Sequence, residues 1–365
     1  MTRMRRLPAL ATAVLLCGGG AVTALPADAD APVLPSSIVV SAHRGGSGYA
    51  PENTMTSFRN AVRIGADQLE TDTQLTADGH LVLIHDGTVD RTTSCTGNIQ
   101  DLTLAQAEQC DAGYWWTPGQ ETTVPDATLP HPVRGTGIRI PEAHELFDYV
   151  AGLGSADTHT ISIEIKDQPG DKSLDVTGMN TANVLVPLIE SSGLKARTIV
   201  QSFYPPALTY VKQLDPSITT QLLTLGAATP YLAYAVADGQ DIISPDSTQS
   251  DVTASFVTAA HAAGKRVIPY TPDTRQDLTT TGLKGVDGEI TNYPACLLEL
   301  EGRTHPAQLL PASSVTAGAG PVPPCFAAAT QPAAALPELR WPALLVAGGL
   351  ALGVAVRRRR ARASR

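Results

Sequence analysis

Residues 198–225 read TIVQSFYPPALTYVKQLDPSITTQLLTL. Thr198–Phe203 and Thr219–Leu225 are short runs rich in β-branched residues, the composition of strands buried in a parallel sheet. Between them Pro206–Leu214 is a helix candidate, so the segment reads strand, helix, strand. The same alternation extends outward in both directions. Further strand candidates are Ile38–Ala42, Gln68–Thr73, Leu81–His85, Thr160–Ile165, Asp241–Ser244, Arg266–Tyr270 and Val286–Ile290. Further helix candidates are Thr54–Ile64, Glu142–Ala151, Ala182–Ser191 and Val252–Ala263, and Gly193 and Gly264 stand where C-caps belong. Repeated βα units over about 250 residues predict an α/β fold, a distorted (β/α)8 barrel of the TIM type.

Nine strand candidates are one more than such a barrel needs. Ala77-Asp78-Gly79 joins two of them too tightly for a parallel crossover, so these two form a hairpin and one is not a regular stave. Residues 88–139 are polar and rich in Gly and Pro, and read as a surface insertion. Trp115-Trp116 within it either contacts a substrate or packs the insertion onto the barrel.

The chain has 365 residues, 43% of them hydrophobic, and a net charge of -9. That is apolar enough to bury a core, and the acidic balance argues against general nucleic-acid binding. Arg3, Arg5 and Arg6 precede an apolar run from Leu7 to Leu25 and a small-x-small site at Ala27-Asp28-Ala29, so residues 1–29 read as an export signal and 30–37 as a linker. Setting Cys17 aside leaves four cysteines, an even number that suggests disulfides in an exported chain. Of three possible pairings, the most local is expected: Cys95–Cys110 and Cys296–Cys325. The barrel domain is expected over 38–305, followed by an Ala/Pro-rich linker over 306–340. The apolar run 341–356 precedes a basic tail over 357–365, the pattern of a C-terminal transmembrane anchor. Together these segments place the domain on the extracellular face of the membrane or in the cell wall.

The chemistry concentrates between His43 and Thr92. Glu70 and Asp72 are two apart in a strand and share one face. With a two-residue turn at Asp78-Gly79, Ala77 pairs with His80 and Asp72 faces His85. Carboxylates are the hard ligands that Ca2+ or Mg2+ prefer. His43 and Arg44 follow a strand at its C-terminal end, the catalytic face of such barrels. Glu164 and Lys166 repeat the two-residue spacing after another strand, and Gln201 ends the next. Asn53 and Thr54 are positioned to cap the first helix. The remaining histidines, His80, His131, His144, His159, His261 and His305, read as structural.

Eight ordered pieces carry a family resemblance: His43-Arg44-Gly45, Pro51-Glu52-Asn53-Thr54, Glu70-x-Asp72, Asp78-Gly79, His85-Asp86, Arg91-Thr92-Thr93, Glu164-x-Lys166 and Gly285-Val286-Asp287-Gly288. Over His43 to Pro294 the chain resembles the glycerophosphodiester phosphodiesterases. The resemblance implies a phospholipase C-like barrel, and hydrolysis of a glycerophosphodiester to an alcohol and sn-glycerol 3-phosphate. It implies Glu70, Asp72 and Glu164 as ligands of a divalent cation, Ca2+ or Mg2+. It implies His43 and His85 as the general acid/base pair, and Arg44 and Lys166 as phosphate-binding cations. Glu52, Asn53, Gln201 and Tyr270 are candidate supporting or substrate-contacting residues. Positive charge stabilises the phosphoryl oxygens, and near-neutral imidazoles carry protons, so the residue types suit the chemistry. Two departures stand late in the domain: the usual Trp-Thr-x-Asn is Tyr270-Thr271-Pro272-Asp273, and the usual Thr-Asp-x-Pro is Thr291-Asn292-Tyr293-Pro294. Two other functions fit the same barrel: a phosphodiesterase acting on phospholipid head groups or a wall polymer, or a non-catalytic wall-associated binding module.

Overall fold

The computed structural model describes residues 34–303 apart from 121, 167–174 and 176. The expected export segment, the 306–340 linker, the apolar run 341–356, the basic tail, His305 and Cys325 lie outside the described residues. Among the described residues no helix is long and apolar enough to cross a membrane.

The first unit is β1 (Val39–Ala42), α1 (Met55–Ile64) and β2 (Gln68–Leu75). Thr54 starts α1: its side chain accepts from Ser57 N, and the Ser57 hydroxyl accepts from Thr54 N. Next come β3 (Leu81–Leu83), α2 (Leu104–Ala107), α3 (Ala143–Gly152), β4 (Thr160–Ile165), α4 (Met179–Ser191) and β5 (Thr198–Ser202). The remainder is α5 (Pro205–Leu214), β6 (Thr219–Leu223), α6 (Thr229–Ala237), β7 (Ile242–Ser244), α7 (Ala254–Ala262), β8 (Arg266–Val267), α8 (Arg275–Gly282), β9 (Gly288–Thr291) and α9 (Pro294–Leu300). The expected strands and helices are all present, Thr160–Ile165 with the same ends and the others with one or both ends shifted. The sequence reading did not single out α6 or α8. The first, TPYLAYAVA, has no polar face, and the second, RQDLTTTG, carries β-branched threonines, so neither shows a helical stripe.

Eight strands run parallel in the order β8-β7-β6-β5-β4-β2-β1-β9. Across the seam, Asp287 N donates to Val267 O at 2.8 Å and Ile290 N to Pro269 O at 2.9 Å, so the barrel is nearly closed. Pro269 has no N–H to give a ladder, which helps explain why β8 stops short of the expected Tyr270.

β3 is the surplus strand, antiparallel to β2 and off the barrel path. Its register corrects the expected one. Thr73 pairs with Leu83 and Leu75 with Leu81, one residue away from the pairing that sets Asp72 against His85. The cause is the turn. Thr76 N donates to His80 O at 2.9 Å, which leaves three residues in the loop, with Gly79 at φ 83°. Ile84 N, not His85, donates to Asp72 O, at 3.1 Å.

The sequence TISIEI of β4 shows how the interior is built. Ile161, Ile163 and Ile165 join the core beneath the helices with Phe58, Leu69, Leu185 and Ile189. Ser162 and Glu164 alternate with them and point into the barrel. Ile199, Ile242, Ile268 and Ile290 form a separate apolar cluster. On β5, Ile199 precedes Gln201 on the same face, so this apolar layer lies toward the N-terminal ends of the strands and the polar layer toward their C-terminal ends. The 88–139 insertion packs with Val82 and Ile84 in a separate small core that includes Val89, Ile99, Trp116 and Ile138, with Cys95 bonded to Cys110. Cys296 is disulfide-bonded, and its expected partner Cys325 lies outside the described residues.

Candidate active site

The chain leaves β1 in a tight turn at His43-Arg44-Gly45. Arg44 is left-handed at φ 52°, and its backbone N–H donates to Glu70 Oε2 at 2.7 Å. Gly45 follows at φ 80°, and a Cβ there would lie 2.3 Å from Ser57 Oγ, so no side chain fits. This turn sets His43 at the barrel mouth.

The parallel register assembles the acidic group. Asp72 on β2 pairs with Glu164 on β4, and Glu164 with Gln201 on β5. Glu70, Asp72 and Glu164 are all buried and bring ligand oxygens within 4.8 Å of one another. Each is held. Gln201 Nε2 donates to Glu70 Oε1 at 2.6 Å, and Asn53 Nδ2 to Asp72 Oδ2 at 2.8 Å. Lys166 Nζ lies 3.0 Å from Glu164 Oε1 and 3.2 Å from Asp72 Oδ1. Arg44 Nε lies 3.5 Å from Asp72 Oδ2. Burial and the neighbouring Asp72 push Glu70 well up. Burial, against the pull of Lys166, pushes Glu164 up to about 8. For Asp72 burial is outweighed by Lys166, His85 and Arg44, which hold it well below the usual carboxylate range. Three converging carboxylates are a hard-oxygen donor set, and they fit a divalent cation such as Ca2+ or Mg2+.

The two histidines are supported differently. His43 Nδ1 lies 2.7 Å from Asn292 Oδ1. His85 Nδ1 lies 2.6 Å from Asp86 Oδ1. Arg91 clamps Asp86 through Nε at 2.5 Å and reaches Glu52 with both terminal nitrogens, at 2.8 and 2.7 Å. Glu52 also accepts from Arg44 NH1 at 2.8 Å, so one carboxylate ties the His43 turn to the His85 loop. Burial, then Arg44, lowers His43 to about 3. Burial, Arg44 and Lys166 lower His85 to about 4. Both imidazoles are therefore neutral near pH 7.

All seven residues expected at the core of the site thus meet at one end of the barrel. Of the four supporting candidates, Glu52 anchors the two arginines, Gln201 holds Glu70, and Asn53 holds Asp72. The helix cap is Thr54 alone, because the Asn53 amide is spent on Asp72 Oδ2 and on accepting from Thr71 Oγ1 at 2.7 Å. Tyr270 packs edge-on against Phe203 with ring centroids 5.6 Å apart and donates its hydroxyl to Thr224 O at 2.5 Å. Trp116 packs the insertion down, its indole donating to Ser47 O at 3.1 Å, while Trp115 packs on Tyr114, His131 and Arg134. The sequence reading missed Asp86 and Arg91 as site residues, though an Asp directly after a His and an Arg five residues on were the available signal. The two departures from the family pattern meet in one hydrogen bond: Asn292 Nδ2 donates to Asp273 Oδ2 at 2.6 Å.

Residues 43–296 match the Glycerophosphoryl diester phosphodiesterase family. The glycerophosphodiester phosphodiesterase of Caldanaerobacter subterraneus subsp. tengcongensis is 33% identical over 263 residues, 72% of this chain and 97% of its own. A solved structure from Silicibacter pomeroyi shares the fold with a TM-score of 0.63 at 22% identity, covering 75% of this chain and 98% of that one. An Oleispira antarctica phosphodiesterase, solved in complex with the product sn-glycerol-3-phosphate, matches with a TM-score of 0.60 at 25% identity, over 71% of this chain and 95% of that one. The nearly closed barrel, the acidic group at its mouth and these matches agree, and the chain belongs to the glycerophosphoryl diester phosphodiesterase family of enzymes.

Proposed function

We propose that this enzyme hydrolyses glycerophosphodiesters to an alcohol and sn-glycerol 3-phosphate, using Glu70, Asp72 and Glu164 to hold Ca2+ or Mg2+. The observation that carries the reading is the convergence of three carboxylates, two supported histidines and two cations at one barrel mouth. The cation, when bound, supplies positive charge to the phosphoryl oxygens. Arg44 and Lys166 add fixed positive charge beside it, in a buried setting where each counts for more than in water. One histidine accepts a proton from the attacking water or substrate hydroxyl, and the other returns a proton to the alkoxide as the P–O bond breaks; where a substrate hydroxyl attacks, water then opens the cyclic diester to sn-glycerol 3-phosphate. The anionic phosphodiester raises the basicity of a nearby imidazole, so substrate itself favours protonation of the acid partner.

The choice of sn-glycerol 3-phosphate as product is supported by the Oleispira antarctica phosphodiesterase complex. The test is incubation of the purified chain with glycerophosphocholine and related diesters, with Ca2+, Mg2+ or Mn2+, and measurement of released sn-glycerol 3-phosphate. Release that depends on the cation is expected. No release from any diester with any cation would sink the reading. The terminal segments of the sequence further support export and a membrane tether at the outer surface. Fractionation of expressing cells, with protease added to intact cells, checks this, and a soluble intracellular enzyme would refute it.

A further inference from the structure

We propose that Asp273, acting through Asn292, holds His43 in one tautomer, with the proton on Nδ1 and Nε2 left as the acceptor. The proposal rests on the reading of His43 as a proton-transfer group.

The two ends of the Asn292 amide differ in chemistry but hardly in shape. Its Nδ2 lies 2.6 Å from Asp273 Oδ2, and a carboxylate offers only acceptors. Two further donors point at the same carboxylate: Asn292 N at 2.8 Å and Thr291 Oγ1 at 3.0 Å, both on Oδ1. Asp273 and Asn292 are buried, at 8% and 4% exposure, so water is a poor substitute for any of these bonds. Turning the amide over would press its oxygen against a carboxylate oxygen. Asp273 therefore fixes which end of Asn292 faces the site, and that end is the oxygen. There Oδ1 accepts from Ser47 Oγ at 2.5 Å and faces His43 Nδ1 at 2.7 Å. An acceptor at that distance requires the proton on Nδ1, and a neutral imidazole has only one N–H. The lone pair is left on Nε2.

The chain of cause is Asp273 carboxylate, Asn292 orientation, His43 tautomer. Asp273 is a positioning residue, because it acts on His43 only through the Asn292 amide. His85 has no such relay, since its Nδ1 meets the Asp86 carboxylate directly.

The decisive measurement is the histidine tautomer in the full chain, labelled with 15N-histidine and read by long-range 1H–15N correlation near pH 7. The His43 signals are identified by their loss in His43→Gln. Protonated Nδ1 with bare Nε2 is expected, and a proton on Nε2 would overturn the proposal. This readout needs no turnover, so an enzyme inactive on glycerophosphodiesters would sink the proposed function while the tautomer still decides this inference. A second measurement uses rescue. In Asp273→Asn the residue facing Asn292 can donate or accept, the amide is free to turn, and kcat should fall roughly ten- to a hundredfold. KM should stay within about twofold, the split expected when binding is intact. Exchanging both residues, Asp273→Asn with Asn292→Asp, remakes the bond with an acceptor still facing His43. It should recover most of the lost kcat, a non-additivity that marks direct coupling. A folded double variant no more active than the single one would overturn the relay.

Discussion

At the barrel mouth Glu70, Asp72 and Glu164 crowd together, and each has a donor or a cation within reach. Behind β9 the arrangement is the reverse. Glu289 is fully buried, and neither of its carboxylate oxygens has a hydrogen-bond partner among the described residues. Glu301 nearby is buried too, held by Arg303 NH1 at 3.1 Å on Oε2 and by the Ile38 backbone, with Oε1 unpaired among the described residues. Burial and like charge act on both groups. What separates them is the supply of donors, so a buried acid marks function only where the fold has built partners for it. Changes at the mouth should therefore cost turnover, and changes behind β9 should alter stability alone.

The largest effect is expected from the histidines that flank the acidic group. His43→Ala or His85→Ala should lower kcat by roughly 10²–10⁴, the usual worth of a general acid or base. Calcium affinity, measured by calorimetry, should stay near that of the unaltered enzyme, because neither histidine belongs to the converging carboxylates. Full turnover in both variants would break the assignment.

Next come the carboxylates themselves. Glu70→Gln or Glu164→Gln should lower cation-dependent activity by at least about a hundredfold, since even residues behind metal ligands are worth ten- to a hundredfold. Thermal unfolding without added cation should move the other way. At a pH high enough to ionise all three acids, each substitution removes one of the crowded charges, so the Tm there should rise as activity falls. A variant that loses both stability and activity would show that the crowding is not a cost borne for function.

The acidic group was legible in the sequence because its geometry is local. Two residues apart on a strand means one face, whether or not the turn is read correctly, and this gave Glu70 with Asp72 and Glu164 with Lys166. The hairpin shows where such reasoning fails. Counting from a two-residue turn set His85 opposite Asp72, but the loop has three residues and the register is one out. His85 still reaches the site, because β3 ends at Leu83 and Asp86, clamped by Arg91, holds the imidazole after the ladder has ended. The placement was right and the reason for it was wrong. Asp273 and Asn292 were visible only as departures from a pattern, because their bond joins residues 19 apart on two loops, beyond the reach of any strand or helix period. The barrel itself was legible from β-branched runs and helix caps. The α6 and α8 helices were not, since packing rather than amphipathicity holds them in place.

The smallest effect is the one that tests the other half of the comparison. Glu289→Leu replaces an unsatisfied buried carboxylate with an apolar side chain and should stabilise the protein by about 1–3 kcal/mol, read from urea unfolding near pH 7. The glutamate lies against Leu34 and Gly282, as a Cβ on Gly282 would meet both the Leu34 methyl groups and Glu289 Oε1. Its surroundings on that side are thus already partly apolar. Glu289→Gln should gain less, because an amide there keeps unmet donors and acceptors. The pH dependence follows from direction alone. Burial, then Glu301, raises Glu289 well above the ordinary 4.5. Burial, against Arg303, raises Glu301 from 4.5 to about 7. Folded protein keeps these protons where unfolded chain releases them, so stability falls as pH rises from about 4.5 toward 7, and on beyond that for Glu289. In Glu289→Leu that decline should be shallower, with kcat unchanged at every pH. If the slope and the midpoint match those of the unaltered chain, Glu289 has partners after all, and the contrast with the barrel mouth dissolves.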